Sequence, residues 1–104
     1  MNNLNVPKSI TLNKNKKSIE IKYADDKYLL LSSSYLRAYS PSAENKRNLK
    51  EPNHKFFSNV LVEKIEAVGN YAIRIKFDDG HNTGIYSWDY LYEIGIKFQN
   101  SLIP

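Results

Sequence analysis

Between positions 71 and 77 apolar and polar side chains exchange places at every residue. Tyr71, Ile73, Ile75 and Phe77 fall on one side, and Ala72, Arg74 and Lys76 on the other. A two-residue side-chain period belongs to the β-strand, so this stretch predicts a strand with one dry and one wet face. Turn chemistry brackets it. Gly69-Asn70 precedes the strand and Asp79-Gly80 follows it, and both pairs suit tight hairpins between antiparallel neighbours. The expected partners are a strand opening at Val60 and Val62, continued through a bulge to Val68, and a return strand from His81 to Tyr86. A meander with one dry face needs something laid over that face.

The same alternation recurs near the start. Ile10 and Leu12 share a side, Ile19, Ile21 and Tyr23 oppose Glu20 and Lys22, and Ala24 to Lys27 reads as a turn into Tyr28 to Leu31. Ser32-Ser33-Ser34 offers capping hydroxyls to a short helix through Tyr35, Leu36 and Arg37, which Pro41 stops. A second helix is expected after Ser87, with Trp88, Leu91 and Tyr92 on one stripe and Gly95 at its end. Residues 40–58 carry no periodicity, and a segment of that length without a period is usually functional. The expected fold class is α+β: about six strands in small antiparallel sheets, a short middle helix, and a C-terminal helix packed on the sheet. The 104 residues predict a single domain over 1–104 with its core in about 7–95.

Charge is unevenly distributed. Residues 1–50 carry ten Lys and Arg against Glu20, Asp25, Asp26 and Glu44, whereas the second half carries five against seven. A basic first half can meet phosphates or acidic proteins, but its cations alternate with apolar residues and show no one face. Cysteine is absent, which excludes disulfides, thiolate metal sites and cysteine nucleophiles. No apolar run approaches the ~20 residues of a membrane-crossing helix, and no signal-peptide pattern follows Met1, so no membrane is expected and a cytoplasmic setting is.

The run Val68-Gly69-Asn70-Tyr71-Ala72-Ile73, followed by Phe77-Asp78-Asp79-Gly80-His81-Asn82-Thr83-Gly84-Ile85-Tyr86-Ser87-Trp88, resembles the signature of the gamma-butyrobetaine hydroxylase-like N-terminal domain family. The first half agrees in outline, through Pro7, Ile10-Thr11-Leu12, Tyr35-Leu36-Arg37 and Ser40-Pro41-Ser42-Ala43-Glu44. In carnitine-pathway hydroxylases this domain precedes a separate iron- and 2-oxoglutarate-dependent catalytic domain, and similar domains are attached to P-loop iron–sulfur carriers. Many bacteria encode the domain alone, and this chain looks like one of those. The resemblance also implies a structural zinc held by three cysteines and a histidine. Their positions fall on Ser40, Ser42, Asn45 and His81. Hydroxyls and an amide are poor zinc ligands, so the zinc site reads as lost and no cofactor is expected.

Catalytic constellations are missing as well. His54 is followed by Lys55-Phe56 and His81 by Asn82-Thr83, so neither begins the His-x-Asp or His-x-Glu pair of an iron facial triad. Asp78-Asp79 reads as turn chemistry. His81 is expected to tie the return strand to the 40–45 loop by a hydrogen bond, and Gly84 predicts a bulge or a close backbone approach, by Trp88 folding back. Tyr71, Phe77, Trp88 and Tyr92 are expected in the core, while Tyr35 and Tyr39, near Arg37, Lys46 and Arg47, are candidates for an exposed binding surface. The expected function is therefore that of a non-catalytic accessory or protein-interaction domain of uncharacterised function, associated through the family with iron–sulfur or oxygenase systems. The expected patch for an unknown protein partner comprises Tyr35, Arg37, Ser40, Ser42, Glu44, His81 and Trp88. The alternatives are a metal-binding or metal-delivery protein using His81, and weak nucleic-acid binding through the basic first half.

Overall fold

In a computed structural model the described residues are 5–24, 26–41 and 57–101. The alternating segments form two antiparallel three-stranded sheets. The first sheet runs in the order β1 (Ser9–Leu12), β2 (Ser18–Lys22) and β3 (Tyr28–Ser32); the second runs β4 (Val62–Val68), β5 (Ala72–Phe77) and β6 (Gly84–Ser87). Helix α1 (Ser33–Ala38) follows β3, and helix α2 (Trp88–Ser101) closes the chain. The result is the expected α+β class with six strands.

Register fixes which side chains face inward. Ile10 pairs with Ile21 and Leu12 with Ile19, and these pair onward with Leu29 and Leu31, so one face of the first sheet is wholly aliphatic. In the second sheet Ile65 opposes Ile75 and Ala67 opposes Ile73, which in turn opposes Tyr86. The register slips between Val62 and Lys64, as the Val60–Val68 spacing predicts for a bulge, and this turns Val62 inward beside Phe77. The dry faces of both sheets, with Leu36, Leu91 and Ile94 from the helices, form one buried cluster. Removal of this apolar surface from water is the main stabilising term. The Val62 N–H donates to Lys16 O and the Ser33 hydroxyl to Val60 O, and these bonds join the two halves of the fold at one corner.

Three local expectations are corrected. Gly95 does not end the last helix: α2 continues to Ser101, and a Cβ at Gly95 would sit 2.6 Å from Leu29 Cδ1. The glycine lets the helix backbone come down onto β3. Phe98 accordingly belongs to the helix and packs on Tyr35, with ring centroids 4.5 Å apart. The β5–β6 connection is residues 78–83, not a two-residue turn; the Phe77 N–H donates to His81 O across its base, and the Asp79 carboxylate accepts from the His81 N–H. Tyr71 is 57% exposed. It precedes β5 and lies over Gly69, so the apolar alternation ends one residue short of it.

Buried phenols divide by whether they find an acceptor. Tyr86 donates to Leu36 O and Tyr35 to Ile94 O, whereas the buried Tyr23 hydroxyl has no partner among the described residues. Burial, reinforced by Tyr92, pushes the Tyr23 phenol up to about 12. Removing an orphaned polar group and removing a partnered one should have opposite effects. Tyr23→Phe is expected to leave the unfolding midpoint unchanged or raised, while Tyr86→Phe lowers stability by about 1–3 kcal/mol through its stranded carbonyl. Chemical denaturation of both variants reads the difference.

Candidate functional site

The polar residues singled out in the sequence meet where α1 ends. Ser32 caps α1 by accepting from the Tyr35 N–H, and the helix stops at Ala38, ahead of Pro41. That termination delivers Ser40 to the first residue of β6. Ser40 Oγ and His81 Nε2 share a hydrogen bond of 2.7 Å, and the two residues are 0% and 4% exposed. Beneath them, an ideal Cβ on Gly84 would lie 2.0 Å from Ser40 Oγ. The close approach expected at Gly84 is real, but Ser40 makes it, not Trp88.

An ion pair flanks this contact. Arg37 Nε donates to Asp79 Oδ2 at 2.8 Å, and its guanidinium lies 4.5 Å from the Phe57 ring centroid. Asp79 Oδ1 accepts from the His81 backbone N–H. Asp78 points the other way, where its carboxylate accepts from Leu61 N. Burial pushes the Asp79 carboxyl up, but the His81 N–H and the Arg37 guanidinium outweigh it, and the net shift is downward. Tyr90 donates to Tyr39 O and so ties the residue after α1 to α2.

Of the expected patch, Arg37, Ser40 and His81 are brought together. Tyr35 is a correction: it is buried, its hydroxyl held by α2, and it offers no surface for a partner. Trp88 stands at the far end of β6, where its Nε1 donates to Asn70 O in the β4–β5 turn. Ser42 and Glu44 lie outside the described residues, as do Asn45, Lys46, Arg47 and His54. Sequence reasoning missed Asp79 as the hub. Its signal was the Asp-Asp pair before a glycine, which turn preference alone explains.

The chemistry open to this corner is narrow. Tetrahedral zinc keeps its nitrogen and oxygen ligands about 3.3 Å apart, given bond lengths near 2.0–2.1 Å. A direct 2.7 Å hydrogen bond between Ser40 and His81 occupies the position such an ion would need. These residues therefore do not fit zinc, and among the described residues no three His, Asp or Glu side chains cluster as ligands. Nor is this a nucleophile with its base on display, since Ser40 has no accessible surface.

The molecule's relatives share this outline. It is similar to the crystal structure of a protein with unknown function of the DUF971 family from Acidithiobacillus ferrooxidans, at 29% identity and a TM-score of 0.75, over 91% of this chain and 98% of that one. Two solution NMR structures are similar at 33% and 34% identity, with TM-scores of 0.69 and 0.66. They match 93% and 98% of this chain and 77% and 82% of their own. No curated protein matches. The class is thus a small α+β domain, one of whose solved relatives is of unknown function. The chain belongs to the gamma-butyrobetaine hydroxylase-like N-terminal family, whose match spans residues 10–92.

Two measurements test the corner. Gly84→Ala forces Ser40 away from His81 and is expected to lose about 2–3 kcal/mol. Combining it with Ser40→Gly, which vacates the space, should recover at least ~1 kcal/mol relative to additivity; strictly additive losses would refute the contact. The second test is pH. A carboxyl whose pKa is depressed by folding adds stability above its unfolded pKa and loses it as pH falls through the folded value. Asp79→Asn should therefore flatten the decline in stability between about pH 5 and pH 2.

Proposed function

We propose that this protein is a non-catalytic accessory domain that acts by binding another protein. The observation that carries the reading is the sealed Ser40–His81 contact: the groups best suited to acid–base or nucleophilic chemistry are closed off from solvent and engaged in holding α1 to β6. The Tyr35, Tyr86 and Tyr90 hydroxyls are likewise donated to main-chain carbonyls. What faces solvent instead is apolar surface on strands and a turn, at Tyr28, Leu30, Tyr71 and Ile85. Exposed tyrosines and aliphatic residues are the side chains that protein interfaces use as anchors. The family resemblance makes iron–sulfur and oxygenase systems the first place to seek the partner. A further point concerns membranes: among the described residues, no helix is long and apolar enough to cross one.

Affinity capture with the full chain as bait tests this reading. Wild-type protein should retain a partner at physiological salt that Tyr28→Ser, Leu30→Ser and Tyr71→Ser together release, while His81→Asn costs stability and not selectivity. Failure of the wild type to retain anything, or turnover of a substrate that His81→Asn abolishes in folded protein, would end it.

A further inference from the structure

The outward face of the first sheet has a pattern that the linear sequence conceals. Across it run the rows Ser9–Lys22–Tyr28 and Thr11–Glu20–Leu30. Tyr28 is 56% exposed and Leu30 49%, so an apolar strip lies open on β3. Lysines stand at both ends of this strip. At the β2–β3 end, Lys8, Lys22 and Lys27 line a groove of about 420 Å3, together with Tyr28 and, among the described residues, the carboxylate of Asp26. At the opposite end, Lys14, Lys16 and Lys17 occupy the β1–β2 turn and are exposed. Strands of four or five residues at ~3.4 Å per residue put the two lysine groups roughly 15 Å apart. Lys8, Lys14, Lys16 and Lys17 make no ion pair among the described residues, and Lys22 pairs with Glu20 at 4.0 Å.

The second sheet makes a useful contrast. Its outward cations are matched on the same face, Arg74 and Lys64 by Glu66 and Lys76 by Glu63. There every one of these cations has a carboxylate in reach, two carboxylates serving three cations, whereas at the ends of the first sheet Lys8, Lys14, Lys16 and Lys17 have none among the described residues. Basic residues scattered along the chain are therefore brought to the two ends of the first sheet.

We propose that the outward face of the first sheet docks an acidic, apolar-centred segment of a partner protein, with carboxylates at the two lysine ends and an aliphatic or aromatic residue on Tyr28 and Leu30. This rests on the protein-interaction reading above and specifies its surface and partner chemistry. Charge complementarity selects the acidic ends. The centre argues for a peptide over a nucleic acid: Leu30 offers an aliphatic contact and not a stacking plane, the cations are all lysine, and Glu20 lies mid-face, where a continuous phosphate backbone would meet it. Lysines at the rim also make the association fast and salt-sensitive more than tight.

Nuclear magnetic resonance titration of the isotopically labelled full chain provides the test. Three probes are added in turn: a short peptide with glutamates at both ends and Leu-Phe at its centre, the same peptide with glutamines for the glutamates, and oligothymidylate. The acidic peptide should shift amides of β1, β2, β3 and their turns. The shifts should fade with added salt, and affinity should fall about tenfold in Lys8→Glu/Lys22→Glu, both exposed positions. Leu30→Ser, an independent folded variant, should weaken binding without altering its salt dependence. No shift with the acidic peptide, shifts on another face, or equal binding of the glutamine peptide would overturn the proposal. So would stronger binding of oligothymidylate at the same face. A captured partner held equally by wild type and Lys8→Glu/Lys22→Glu would overturn it while leaving the interaction reading intact.

Discussion

A serine hydroxyl occupying the space of a missing Cβ is the constraint on which the corner of this structure depends. Ser40 Oγ rests against Gly84 and bonds to His81, and the helix before it and the strand after it are both oriented by that contact. Three further bonds converge on the same few residues. Tyr86 reaches Leu36 O, Arg37 reaches Asp79, and Asp79 holds the His81 N–H. In a low-dielectric setting such a network is rigid when every member is satisfied, and costly when one is removed. The zinc that the family resemblance implies would do a similar job through four ligands; here a direct hydrogen bond between two side chains joins the same two segments.

That exchange has a consequence for function. A metal site needs lone pairs turned toward the ion and a catalytic dyad needs a nucleophile that substrate can reach; here Ser40 and His81 are bonded to each other and sealed from solvent. Attention moves to the sheets, whose buried faces are aliphatic and whose outward faces differ in character. The outward face of the second sheet pairs its charges internally, and that of the first leaves lysines at both ends of an open tyrosine–leucine strip. Two sheets of similar size and topology thus present solvent with different chemistry, and the asymmetry in net charge between the two halves of the sequence takes on a location.

Much of the fold is legible along the chain because it depends on short-range periodicity. The alternation at Ile19-Glu20-Ile21 and at Ile73-Arg74-Ile75, the serine cap before Tyr35 and the bulge after Val62 are all local facts, and the strands and α1 lie where those facts put them. Gly95 misled because a glycine after a helical stripe suits a C-cap equally well as a place where a neighbour comes close. Only the position of Leu29 decides between them. Tyr71 misled because the strand period runs through it, although the turn has already rotated its side chain outward. At the candidate site the Ser40–His81 tie could be anticipated, but the burial of Tyr35 and the remoteness of Trp88 could not.

By itself the sequence determined the secondary structure, the exclusion of thiolate chemistry and the family, since each depends on residue identity and spacing alone. The tertiary structure decided which glycine admits which neighbour, which hydroxyls are sealed, and that scattered lysines gather at the two ends of one sheet. The physical reason is that these are properties of contact and exposure between segments tens of residues apart, and no local period encodes the distance between them.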